Sequence, residues 1–132
     1  MGRVDGFAVI VGAGSLRSTG SGAVAFPHRW TPGGVTVEAD FTGAHLLHLS
    51  AAGCVLNDVY REAGALGIEI EGVRVTAAGG FDTDTWTSTG ITYQVELRSP
   101  ASAEDLDRLL DRVDEVAEIP RAIRAGASVQ RA

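Results

Sequence analysis

Two changes of hydrophobic period along the chain predict an α+β fold. Short apolar patches set off by turn residues open it, a long helical segment follows, and clean strand alternation then gives way to an amphipathic helix. The 132 residues suit a single domain, 1–132, and 45% hydrophobic against 21% charged residues is enough apolar matter for a packed core.

From Gly6 to Asp40 the patches Phe7 to Val11, Ala23 to Phe26 and Val35 to Ala39 stand between Gly, Ser, Thr and Pro, which reads as an antiparallel meander. From Ala44 to Leu66 only Gly53 and Gly64 intervene, and Leu46, Leu49, Leu56, Val59, Tyr60 and Ala63 recur at helical spacing, predicting about six turns. The small residues Ser50 to Cys54 form its waist, so this helix is expected at the centre of the fold. Ile68, Ile70, Val73 and Val75 approximate a strand, and Ile91, Tyr93, Val95 and Leu97 alternate with polar residues in a second, the two joined by a polar stretch from Gly79 to Gly90. Ser102 followed by Asp105 marks a helix start, and Leu106, Leu109, Leu110, Val113 and Val116 give that helix its apolar face. Pro120 interrupts it, one further turn runs to Ala125, Gly126 stops it, and Ser128 to Arg131 read as a last strand.

A net charge of −6 leaves no basic stripe for a phosphate backbone, so nucleic acid is excluded as a partner. No run approaches the ~20 apolar residues of a membrane span, and Met1 to Gly20 lacks the pattern of a signal peptide, so the expected location is cytoplasmic, with no membrane partner. All eleven cations are Arg, a mark of a G+C-rich bacterial genome. No cofactor motif is present: Gly12-Ala13-Gly14 lacks the third glycine of a dinucleotide loop. Neither a Gly-x-Ser-x-Gly elbow nor a His-Glu-x-x-His pair occurs.

The single cysteine, Cys54, permits no intrachain disulfide, and the three histidines form no zinc pattern with it, so no metal is expected. Cys54 is either a small buried hydrophobe or a nucleophile. The second role needs a thiolate, and Cys54 lies too deep in its own helix for that helix's dipole to help, so a cation has to supply the shift. Ser50 and Asp58 fall within about 40° of Cys54 around the helix, and Arg61 within about 20° but roughly 10 Å along it. Asp58 opposes a thiolate unless an i, i+3 pair with Arg61 neutralises it; the alternative for both is a surface ion pair. His45 lies about 180° away, which excludes a Cys-His dyad within this helix, and His45 with His48 is expected to cap or pack. Arg17, in the Ser15 to Gly22 turn, is a further candidate.

The run Gly43-Ala44-His45-Leu46-Leu47-His48-Leu49-Ser50-Ala51-Ala52-Gly53-Cys54, followed by two strands and by Glu118-Ile119-Pro120-Arg121-Ala122-Ile123, resembles the OsmC/Ohr family, whose helix motif reads Pro-x-Glu-Leu-Leu-x-x-x-x-Ala-Gly-Cys. The resemblance implies an OsmC-like α+β fold in an intertwined homodimer, with active sites at the interface. It gives Cys54 the role of the peroxide-attacking cysteine and Arg17 that of the activating arginine. Gly43 replaces the motif proline, Ala44 and His45 stand where a Glu is expected, and Ala117 falls where the family has its second cysteine. The implied function is therefore a stress protein acting as a one-cysteine organic hydroperoxide reductase, with Cys54 regenerated by an external dithiol. The alternative is a non-enzymatic dimer holding a small apolar ligand in its interface pocket, lined by residues such as Trp30, Phe41, Trp86 and Tyr93. A third, that Cys54 reacts with another small electrophile, has no residue that selects it.

Overall fold

In the computed structural model, which describes residues 2–132, strands β1 (Arg3–Val4), β2 (Val9–Gly14), β3 (Val24–Phe26) and β4 (Val35–Glu38) precede the long helix α1 (Gly43–Leu66). The hairpin β5 (Gly72–Asp82) and β6 (Ser88–Arg98) follows, then α2 (Ala103–Val116) and α3 (Glu118–Ala125). All six strands form one antiparallel sheet. β5 holds β6 along one edge, while β2 and the short β1 share the other. β4 then lies beside β2, and β3 beside β4.

The N-terminal strands are therefore not a meander: β4 sits between β2 and β3, so the chain passes one place over and returns. The physical reason lies in the side chains. Val35 and Val37 pack toward the core whereas Val24 and Phe26 are more than half exposed, so the more apolar strand takes the inner position.

The α1 helix starts at Thr42, whose side chain accepts from the His45 N–H, and ends at Gly67, which adopts the left-handed conformation that closes the last turn. This helix lies across one face of the sheet against β2 and β5, with α2 packed on its far side and α3 against its flank. The core gathers Val9, Val11 and Ala13 from β2, Val73, Val75 and Ala77 from β5, and Val55, Leu56 and Val59 from α1, with Leu109 and Val113 of α2 closing it. Alternate residues of each strand point the same way, so the inner face is apolar by construction.

The second half departs from expectation in three places. Ile68 and Ile70 lie in the connection after α1 and pack on the core without joining a strand. Most of the stretch from Gly79 to Gly90 is strand, and the turn is only Thr83 to Thr87. Gly79 and Gly80 mark close approach: a Cβ on Gly79 would strike the Gly90 carbonyl and the His48 ring, and one on Gly80 the Val4 carbonyl and Asp5. The tail from Ser128 to Arg131 forms no strand.

The helices α2 and α3 part at Ala117, three residues ahead of Pro120. The Pro120 ring would collide with the Val116 carbonyl in a continuous helix, and placing Pro120 in the first turn of α3 leaves its missing N–H without cost.

The glycines give a paired prediction. Gly79→Ala should destabilise the protein by at least about 2 kcal/mol, because neither a strand backbone nor a buried ring can move aside. Gly64→Ala, on an exposed helical position with open space around it, should stabilise it by roughly 0.5–1 kcal/mol. Urea denaturation of both variants beside the parent protein reads the two signs.

Candidate functional site

Cys54 is 7% exposed and faces the start of α3. A helix start leaves its first N–H groups without intrahelical partners, and Ala117 at the N-cap position has no side chain to accept from them. The Cys54 sulfur lies beside this helix start, where the backbone N–H groups of Ile119 and Glu118 favour its thiolate. The dipole of α1 itself does not help, since its N-terminus is far from Cys54. The dipole end that reaches the sulfur belongs to another helix.

Two carboxyl groups share the site. Ligand atoms of Cys54, Asp58 and Glu118 lie within 4.8 Å of one another. Asp58 is 1% exposed, and burial, reinforced by the neighbouring Glu118 carboxylate, pushes its pKa up to about 6. Arg61 opposes that rise, with Nη2 3.0 Å from Asp58 Oδ2 and 3.6 Å from Glu118 Oε2. The Asp58–Arg61 pair at i, i+3 is thus present, and it is a half-buried one that also ties α3 to α1. Arg61 reaches Glu62 as well, and Glu62 accepts from Arg112 of α2 at 3.1 Å, so one network joins three helices.

The Cys54 thiol is held above its ordinary pKa. Burial is the largest cause, the Ile119 N–H opposes it, and the charges of Asp58 and Glu118 add to the rise. The resting side chain is accordingly a neutral thiol. Sulfur with two carboxylates is a donor set a divalent cation can use, but here the Arg61 guanidinium already stands between the carboxylates as their counter-charge.

The other candidate residues lie elsewhere. The Arg17 guanidinium donates to the Gly33 carbonyl at 2.8 Å and to that of Gly14 at 3.3 Å, stapling two loops of the N-terminal sheet, and it is not among the groups gathered at Cys54. Ser50 donates to the Leu47 carbonyl within α1. His45 is in hydrogen-bond contact with Thr42 at the start of α1, and His48 is fully buried beside the Phe7 and Phe81 rings with Nδ1 donating to the Ala44 carbonyl. The two imidazoles cap and pack. Sequence reasoning missed Glu118 and the Ile119 N–H; the signal available was an acid two residues before a helix-starting proline.

The model of the OsmC-like protein family matches residues 35–131. The chain belongs to the OsmC-like family. Among solved structures, this OsmC-like chain is similar to an OsmC-like hydroperoxide resistance protein from Jannaschia sp. CCS1, at 13% identity and a TM-score of 0.59, over 95% of this chain and 92% of that one. It is similar too to an OsmC-like protein from Mycoplasma pneumoniae, at 17% identity and a TM-score of 0.58, over 77% and 85% of the respective chains. Among curated proteins, none matches the chain in sequence. Ala117, at the start of α3 beside Cys54, is fully buried. No described helix is long and apolar enough to cross a membrane.

Asp58 gives this site a pH signature. Its folded-state pKa lies above the ordinary value of 3.8, so the folded protein binds this proton more tightly than the unfolded chain, and the stability it confers is lost as pH rises from about 4 through about 6. Asp58→Asn has no proton to lose. Its thermal midpoint relative to the parent should rise by several degrees between pH 4 and pH 7, on the order of 2 kcal/mol, in a melting series across that range.

Proposed function

We propose that this chain is a one-cysteine thiol peroxidase that reduces organic hydroperoxides, working as a homodimer in the bacterial cytoplasm. The observation that carries the reading is the Cys54 sulfur lying against the first N–H groups of α3 with a carboxyl pair in reach. The hydroperoxide-resistance designation of the Jannaschia structure lends it family-level support. Phe41 and Trp86, 91% and 65% exposed, favour a second copy covering them.

The chemistry follows from the protons. Asp58, with a pKa of about 6, is mostly carboxylate at neutral pH and accepts the Cys54 proton as sulfur attacks the terminal, hydroxyl-bearing oxygen of the hydroperoxide. The O–O bond breaks, the sulfur becomes a sulfenic acid, and the proton passes from Asp58 to the leaving alkoxide, which departs as alcohol. The N–H groups of Ile119 and Glu118 stabilise negative charge on sulfur during the attack. With one cysteine in the chain, regeneration falls to an external dithiol, which becomes a disulfide as the sulfenic oxygen leaves as water.

Exposure to stoichiometric cumene hydroperoxide with dimedone present, read by intact mass, should give a single adduct that Cys54→Ser lacks. The rate should climb between pH 5 and pH 7 with an inflection near 6, and Asp58→Asn should lose the inflection and about 10²-fold in rate. A protein left unmodified while a free thiol is consumed would refute the reading.

A further inference from the structure

A second site lies on a different face of α1. Taking about 100° per residue, Leu49, Gly53, Leu56 and Asn57 cluster roughly 120° around the helix from Cys54 and Asp58. Over them arches the segment Phe26 to Trp30, which joins β3 to β4. His28 pins it there, with Nε2 2.9 Å from Asn57 Oδ1, Nδ1 2.7 Å from Thr31 Oγ1, and its ring edge-on to Tyr60. Beneath the arch is a cavity of about 380 Å³, within the size range of ligand sites.

Its walls are apolar: Val35 and Val37 from the sheet, Leu49 and Leu56 from α1, and the rings of Phe26 and Trp30 from the arch. Those two rings are 51% and 39% exposed, a cost the arch does not recover by packing within the chain. Gly53 keeps the floor open, since a Cβ there would meet nothing within 4 Å. The one cation on the wall is Arg29, whose guanidinium carbon lies 5.9 Å from the Trp30 ring centroid. Among the described residues no carboxylate pairs with Arg29, as none does with Arg17, Arg121 or Arg131, whereas Arg61, Arg74, Arg108, Arg112 and Arg124 each have one.

We propose that this cavity binds a small aromatic carboxylate, its ring system against Trp30 and Phe26 and its carboxylate paired with Arg29. The aromatic walls favour a flat, apolar body through offset stacking. The planar guanidinium at the apolar mouth favours a carboxylate, which it meets with two parallel hydrogen bonds. The site is separate from the thiol chemistry and holds whether or not Cys54 reacts.

Calorimetric titration of the full chain with 2-naphthoate and with its neutral counterpart 2-naphthamide tests the proposal. Saturable binding of one naphthoate per chain, about tenfold or more tighter than the amide, is expected. Arg29→Gln should bring naphthoate down to the affinity of the amide and leave the amide unchanged, and Gly53→Leu should abolish both at an unaltered circular dichroism spectrum. Absence of saturable binding, equal affinities for acid and amide, or naphthoate binding indifferent to Arg29→Gln would each overturn it. So would binding that appears only on dilution to monomer, which would make a second copy of the chain the occupant.

Discussion

The start of α3 has no capping side chain, and its free N–H groups lie against the sulfur of Cys54. The docking of α3 against α1 at that point sets the geometry of the site. It places Glu118 beside Asp58, draws Arg61 between the two carboxylates, and couples the charge of one helix end to the protonation of a buried thiol. Pro120 is what makes it possible: by ending α2 and forcing a new start at Glu118, it leaves unbonded N–H groups on the flank of α1.

The opposing influences on Cys54 differ in kind. Burial and two neighbouring carboxylates favour the neutral thiol, whereas the α3 N–H groups favour the anion, and burial wins. A site of this kind keeps its proton at rest and gives it up only when a base accepts it, which is the role open to a carboxyl whose pKa stands near neutrality. The thiol and the cavity under the Phe26 to Trp30 segment use different faces of one helix, so α1 is the common wall of two environments, one charged and one aromatic.

Much of this was legible in the residues. The period of α1, its Thr42 to Gly67 limits within a residue or two, the alternation of β6 and the Ser102 start of α2 follow from local pattern, because each is fixed by neighbours in sequence. The β2-β4-β3 order and the length of β5 did not, since the first rests on which strand has more apolar surface to bury and the second on glycines chosen for contacts with His48, Val4 and Asp5. At the site, the Asp58–Arg61 pair was readable from i, i+3 spacing, whereas Glu118 stands 60 residues further along the chain, joined to Asp58 only by the docking of α3. Arg17 rested on its place in a turn and on the family resemblance, and within the chain its guanidinium donates to two backbone carbonyls.

The most direct test of this account is the ultraviolet titration of the Cys54 thiolate near 240 nm, with the Cys54→Ser spectrum subtracted at each pH. A buried thiol held neutral by its carboxylate neighbours predicts that thiolate absorbance appears only above the ~8.5 of an unperturbed cysteine, and that Glu118→Gln moves the transition down. Thiolate absorbance already complete at pH 7 would contradict it, because the N–H groups of α3 would then outweigh burial and both carboxylates together.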